Sequence, residues 1–492
     1  ATPAATPAAT PAATPAATPA ATPAATPTAT PTASTPVSRH DGRGKFNYAE
    51  ALQMALYFYD AQRSGKLPEG FRVQWRGDSA MEDGSDVGVD LTGGFYDAGD
   101  HVKFAFPMAS AMTLLSWGGI EYGEGYHRAR QKGELLSLVR WGADWLMKAH
   151  PSADVFYAQV GSGTLDHDHW GPAEVMSMKR PAYRIDASKP GSDVAAEAAA
   201  ALASAAILFK SDDPDYSQKL LSSARSLFDL AEAHHGRYSE VIRDAAEYYP
   251  SSGYLDELTW AAAWLYRATG DPVYLQKAEA YCERFQDDDD MHWTQTWDDK
   301  IYGANVLLAE LTGKEVYKHA VEKWLNFWTV GDAGKRVKYT PGGLAWLDRW
   351  GSLRYAANTA FLAFIYADRV GDHGMRYRDF ARSQINYILG SNPEHRSYVV
   401  GFGQDPPRNP HHAGAHGSLS DDVDEPGDNR YILYGALVGG PSAPRDDAYA
   451  DRRSDYVTNE VSLDYNAGFT GALARMVQEY GGVPLEVFPP QE

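Results

Sequence analysis

Between residues 39 and 492, apolar side chains recur with a helical period in twelve separate stretches, and that count constrains the fold more than any other feature of the chain. The stretches lie near 47–63, 106–121, 131–149, 193–209, 214–235, 253–269, 271–287, 298–312, 313–329, 349–370, 373–390 and 459–480. Several, such as Val194 to Leu208, are apolar nearly all round, as befits a helix that packs on two sides. Others carry their own boundaries: Ser192-Asp193 opens one, and Gly270-Asp271-Pro272 separates two. Twelve helices in one domain predict an all-α fold of six hairpins closed into an (α/α)6 barrel. The stretches at 72–105, 150–190, 331–348 and 392–457 are long for connections in a compact domain, and such loops usually carry function. They hold most of the Asp, His, Trp and Tyr clusters.

Residues 1–38 contain only Ala, Thr, Pro, Ser and one Val, mostly as Ala-Thr-Pro-Ala repeats. No core can be built from them, and Pro holds such a chain extended. The expected role is a stiff spacer to another module, open to O-glycosylation; the alternative is a tail with no partner. No second linker interrupts 39–492, which is read as one domain with a short Pro-containing tail from Val483 to Glu492. The spacer is uncharged, so the formal net charge of -20 sits on that domain. An acidic surface argues against nucleic acid and anionic membranes as partners and suits a neutral substrate. Cys282 is the only cysteine, which excludes an intrachain disulfide. No run is expected to span a membrane. With neither initiator Met nor signal peptide, the chain reads as a mature or excised portion. The 13 Trp and 30 Tyr exceed what a core alone asks for, and flat rings with polar edges cover the apolar face of a sugar.

Three clusters carry chemistry. In Asp90-Leu-Thr-Gly-Gly-Phe-Tyr-Asp97-Ala-Gly-Asp100-His101 two carboxylates stand three apart in a Gly-rich loop. They either converge on one water, as a general base must, or cap a turn. In Tyr449-Ala-Asp451, Tyr456, Asn459-Glu460-Val-Ser462 and Asp464-Tyr465-Asn466 a Glu is expected to open an apolar helix among aromatics. Desolvation there raises its pKa, as a general acid requires; the alternative is a Glu placed for the helix dipole. The third cluster, Asn409-Pro410-His411-His412-Ala413-Gly414-Ala415-His416, matches no zinc motif, and its histidines are expected to bond substrate hydroxyls.

The sequence resembles glycoside hydrolase family 9, the endoglucanases of the (α/α)6-barrel type, from about Phe46 to Tyr480. Asp90 through Phe104 resembles that family's DLTGG(F/Y)YDAGDHVKF segment, and Tyr449 through Ala467 its carboxy-terminal signature. Ser397-Tyr-Val-Val-Gly-Phe-Gly followed by Asn409-Pro-His-His resembles its histidine signature. The resemblance implies Asp100 as general base, Asp97 as its partner in holding the water, and Glu460 as general acid. It implies His411 at the cleavage subsite and Tyr465 beside the acid. Asp166, His167 and Trp170, in a stretch resembling DHxxWGPAE, and the aromatics Tyr249, Trp293 and Trp350 are expected to line the cleft. Ser252, Gly253, Asp256, Glu257 and Asp298 resemble a structural calcium site, against the alternative that Ser252 and Asp256 cap a helix. The Asp287–Asp290 run is read as a solvated loop. No organic cofactor is expected.

What the resemblance implies is a secreted, extracellular, inverting endo-β-1,4-glucanase acting on cellulose and related β-glucans, with its acid and base roughly 6.5–9.5 Å apart. Ala413 departs from the pattern, which has Arg there. Rival readings are another (α/α)6 hydrolase acting on xyloglucan, mixed-linkage glucan or chitosan, and a glycan-binding protein disabled at position 413.

Overall fold

The computed structural model describes residues 44–285 and 291–490; the spacer at 1–38 and the Asp287–Asp290 run lie outside them. All twelve expected helices are present. They are α1 (Tyr48–Ala61), α2 (Ala105–Arg128), α3 (Lys132–Lys148), α4 (Ser192–Phe209), α5 (Pro214–Ala233), α6 (Leu255–Thr269), α7 (Pro272–Phe285), α8 (Ile301–Thr312), α9 (Glu315–Trp328), α10 (Ser352–Arg369), α11 (Arg376–Ile388) and α12 (Leu463–Tyr480). The even-numbered helices close a ring, α2–α4–α6–α8–α10–α12 and back to α2. Each odd-numbered helix packs outside one of them: α1 on α12, α3 on α2, α5 on α4, α7 on α6, α9 on α8 and α11 on α10. The chain forms an (α/α)6 barrel.

Composition explains the two rings. α4 is buried on nearly every face, as its Ala-rich sequence allows. α9 is amphipathic: Tyr317, Val321, Trp324 and Trp328 follow one another at helical spacing and are buried, with Leu325 and Phe327 beside them, while Glu315, Val316 and His319 are exposed. On the barrel axis Trp117 lies 5.5 Å from both Trp260 and Trp264 and 5.9 Å from Phe361. Each such ring, fully buried, contributes up to about 4–6 kcal/mol of apolar burial.

Inner-to-outer turns are short. α6 ends where Gly270 adopts φ 71°, a left-handed conformation that glycine enters without a Cβ clash, and Pro272 opens α7 two residues later. The outer-to-inner connections are long and all emerge at one end of the barrel, where the inner helices begin. That end gathers every loop singled out from the sequence.

Five expectations need correction. The connection at 150–190 is not wholly irregular: β2 (Val155–Val160) pairs antiparallel with β1 (Lys103–Phe104) and with β3 (Ala182–Asp186). A register shift between Tyr157 and Gln159 interrupts the alternation that marks a strand in sequence. A two-residue pair, β4 (Lys338–Tyr339) with β5 (Ala345–Trp346), lies in the 331–348 loop. α2 runs on past Glu121 to Arg128, through a glycine-rich stretch with a kink at Tyr122. Among the described residues one helix, Ser192–Phe209, is long and apolar enough to cross a membrane, but it is the buried wall α4. The segment expected as one helix at 459–480 is broken, for reasons that belong to the site.

Candidate active site

Asp97 and Asp100 sit on a loop whose main chain is held residue by residue. Asp97 N–H donates to Val102 O at 3.1 Å, and Asp97 O accepts from Leu463 N–H at 2.9 Å. Ala98 O accepts from Gln62 Nε2 at 2.6 Å, and Gly99 O from Ala413 N–H at 2.8 Å. Position 99 has to be glycine, because a Cβ would lie 2.1 Å from His411 O. Each carboxyl has a partner from elsewhere in the chain, which the turn-capping alternative alone does not account for. The Tyr249 hydroxyl donates to Asp97 Oδ2, and His167 Nε2 lies 3.7 Å from Asp100 Oδ2. Their other oxygens, Asp97 Oδ1 and Asp100 Oδ1, are buried with no partner among the described residues.

The two carboxyls are unequal. Burial and the neighbouring Asp100 push the Asp97 carboxyl well above the ordinary carboxylate range, and the Tyr249 bond offsets only part of this. Burial also raises Asp100, but the hydrogen bond and charge of His167, with His101 beside it, bring it below its ordinary value. Of the two, Asp100 is the one whose ionised form the surroundings favour.

Glu460 faces the same cleft from another loop. Here the expectation of a helix opened by Glu460 is wrong. A short helix, Tyr456–Asn459, ends at Glu460, whose φ of -58° and ψ of 147° are extended, and α12 starts only at Leu463. Non-local main-chain pairing causes the break: His411 N–H donates to Asn459 O at 2.8 Å and Gly439 N–H to Glu460 O at 3.0 Å, and His411 and Glu460 form a parallel bridge. Trp350 Nε1 and the Tyr465 hydroxyl both donate to Glu460 Oε2, at 2.6 and 2.9 Å, which leaves Oε1 to the cleft. Burial raises the Glu460 carboxyl above its ordinary value despite those two bonds and the nearby Arg354. Arg354 pairs with Asp464 at 2.8 Å and stacks on Tyr465; no local signal in the sequence marks Arg354.

Of the three clustered histidines only His411 is available to a substrate. Its Nδ1 bonds Arg453 O at 2.8 Å, so Nδ1 carries the proton and Nε2 offers a lone pair. Burial lowers its pKa and favours that neutral form. His412 is used inside the protein, accepting from Ala415 N–H and bonding Gln62 Oε1. His416 accepts from Trp170 Nε1 at 2.7 Å and bonds Pro426 O. Trp170 packs on His411 with centroids 4.8 Å apart. Trp350 is 39% exposed and tilts against Tyr456 at 5.5 Å. Trp293 is half-buried and lies edge-on to Tyr355 at 5.3 Å. Trp297, which the sequence did not single out, stands edge-on to Tyr249 at 4.8 Å. His167 is exposed at the cleft, whereas Asp166 is buried behind it and does not line it. Ala413 is buried, and its amide is committed to Gly99.

At the start of α6, Ser252 N–H donates to Asp298 Oδ1 at 2.9 Å, and Asp256 Oδ2 accepts from Lys300 N–H at 2.8 Å. No side chain caps this helix, so the capping alternative does not hold. Burial, and the proximity of Asp256, push Asp298 up to about 6. Glu257 turns instead toward Lys300 Nζ, 3.5 Å away. No three His, Cys, Asp or Glu side chains converge among the described residues. Two crowded carboxylates beside main-chain oxygens nevertheless fit a hard cation, which would relieve their repulsion.

The model of the family described as Glycosyl hydrolase family 9 matches residues 48–473. Endoglucanase B of Cellulomonas fimi is 55% identical over 455 residues, 91% of this chain and 43% of that protein. Endoglucanase A of Bacillus pumilus is 51% identical over 456 residues, 91% of this chain and 69% of that protein. The chain thus spans less than half the length of the first relative. Among solved structures, endoglucanase CelQ from Clostridium thermocellum complexed with cellobiose and cellotriose has a TM-score of 0.85 at 48% identity, covering 91% of this chain and 73% of that one. The endoglucanase of the termite Nasutitermes takasagoensis has a TM-score of 0.83 at 47% identity, covering 88% and 99%. The family match runs from the first residue of α1 into α12, and the chain belongs to glycosyl hydrolase family 9.

Proposed function

We propose that this chain is an inverting endo-β-1,4-glucanase that cleaves cellulose and related β-glucans. The observation that carries the reading is the division of labour among its carboxyls. Asp100 is held ionised by His167, while Glu460 is pushed up by burial and bonded through one oxygen only. A base and an acid with pKa values driven apart are what single displacement needs. The relatives' names, and the cellobiose and cellotriose held by CelQ, support the substrate class.

The mechanism follows from the atoms. Asp97 Oδ1 and Asp100 Oδ1 hold one water between them. The water oxygen attacks the anomeric carbon as Asp100 takes its proton. The bond to the leaving oxygen breaks as Glu460 Oε1 delivers a proton to it. Asp100 ends neutral and Glu460 ionised, and solvent restores both. His411 Nε2 accepts from a sugar hydroxyl, and Trp170, Trp293 and Trp350 offer ring faces or edges to the glucan. Calcium, if bound, would be held by Asp256, Asp298 and the main chain at Ser252 and Gly253, and would balance the crowded carboxylates at the start of α6. The domain works outside the cell, since an insoluble polymer does not enter one, and residues 1–38 act as the spacer to further modules.

The test is sugar release from amorphous cellulose by the chain and by Glu460→Gln, with NMR of the first-formed anomer. The expected result is an active parent, an α-anomer product, and a loss of about 10²–10⁴-fold in the variant. A parent that binds cellotetraose without releasing product is a glycan-binding protein, and a β-anomer product overturns inversion.

A further inference from the structure

Behind the loop that carries Asp100 lie four buried charges: Asp83, Lys103, Asp166 and Arg180. Their side chains are 1%, 0%, 3% and 9% exposed. Arg180 grips Asp83 with two arms, Nε to Oδ1 at 2.7 Å and Nη2 to Oδ2 at 3.2 Å. Lys103 Nζ reaches the same carboxylate at 2.7 Å and is fixed by Leu91 O and Gly93 O at 2.6 and 3.0 Å. The free end of the Arg180 fork, Nη1, donates to His101 O at 2.8 Å. On the other side of the same residue, His101 N–H donates to Asp166 Oδ1 at 2.9 Å.

We propose that Arg180 and Asp166, whose charges lie 3.9 Å apart, are positioning residues for the catalytic base, fixing the two peptide units that follow Asp100, one through His101 N–H and the other through His101 O. The inference rests on Asp100 being that base. Neither residue reaches the cleft: the peptide directly after Asp100 is held by Asp166 and the next by Arg180. Buried ion pairs of this kind contribute little net stability relative to apolar packing. What they supply is geometry, because a planar fork bridging a carboxylate and a carbonyl admits one placement of both. Lys103 and Asp83 hold that fork from behind. The set is formally neutral, two cations against two anions.

The experiment is steady-state kinetics on cellotetraose with Arg180→Lys, Asp166→Ala, Asp166→Asn and, as a separate control, Asp100→Asn. Lysine keeps the charge but cannot bridge Asp83 and His101 O together. The expected result for Arg180→Lys and Asp166→Ala is a kcat loss of about ten- to a hundred-fold with KM nearly unchanged. Asp166→Asn keeps an acceptor for His101 N–H and restores most of the rate that Asp166→Ala loses. If Arg180→Lys and Asp166→Ala keep full kcat while Asp100→Asn is dead, the positioning role is overturned and the base assignment stands. If Asp100→Asn is active, the base assignment itself falls. Parallel losses in kcat and substrate binding, or no rescue by Asp166→Asn, reduce the two residues to structural ones and overturn the proposal.

Discussion

The indole N–H of Trp350 donates to Glu460 Oε2 at 2.6 Å, so an aromatic ring in the cleft also bonds the proposed acid. This bond works against burial, which raises the Glu460 pKa. Removing the donor while keeping a ring raises that pKa further. Trp350→Phe is expected to move the descending limb of kcat against pH to higher pH and to lower kcat about tenfold. A pH profile on a soluble cello-oligosaccharide reads both, and an unmoved limb denies the bond any hold on the acid.

Activity should follow a bell in pH. Asp100 must be ionised, and its folded pKa lies below the ordinary 3.8, so activity rises as pH increases through that low value. Glu460 must be protonated, and its pKa lies above the ordinary 4.5, so activity falls as pH climbs past it. His167→Gln removes the cationic partner that lowers Asp100 and shifts the ascending limb to higher pH. The profile of kcat/KM checks this, and a limb that stays in place separates His167 from the base.

Ala413 leaves the cleft without the arginine that the family pattern places there. Because the Ala413 amide, not its side chain, holds Gly99, Ala413→Arg leaves that link intact. Charge-assisted bonds from a restored guanidinium are worth about 1.5–3 kcal/mol. Ala413→Arg is therefore expected to raise kcat/KM on amorphous cellulose between about ten- and a hundred-fold. An unchanged value means that this chain's other groups already serve the sugar there.

Calcium removal should destabilise the domain without touching the acid or the base. At a concentration about a hundred times its dissociation constant, a ligand of the folded state adds about 2.7 kcal/mol. Denaturant unfolding with and without a chelator measures the difference, and Asp298→Asn should shrink it. Identical midpoints for the parent in the two conditions would remove the metal from the proposal.

The barrel was legible because its signals are local. Inner helices such as α4 declare two-sided packing through all-round apolar composition, outer ones such as α9 show a single stripe, and Gly270-Asp271-Pro272 marks a hairpin. The candidate site stood out where its residues fall in dense motifs, as Asp97, Asp100, His411 and Glu460 do, and the fold brings these four near one another. What the sequence hid depends on partners far along the chain. Glu460 leaves the helix because the distant His411 and Gly439 pair with its main chain. Arg354 meets Asp464 across 110 residues, and Arg180 finds Asp83 and His101 only once the loops are stacked. Two of three histidines spend their nitrogens inside the protein, which spacing alone does not reveal.

The Asp97–Val102 loop is tied to the segment carrying Glu460 directly, by Leu463 N–H to Asp97 O, and through the histidine segment, by Ala413 N–H to Gly99 O and His411 N–H to Asn459 O. Mechanically they are one plate. Thermal breathing of the cleft can widen or narrow the aromatic walls around this plate while the span between proton donor and proton acceptor stays constant. Heating should accordingly erode affinity for long chains before it erodes turnover of short ones, with turnover collapsing only when the whole barrel melts.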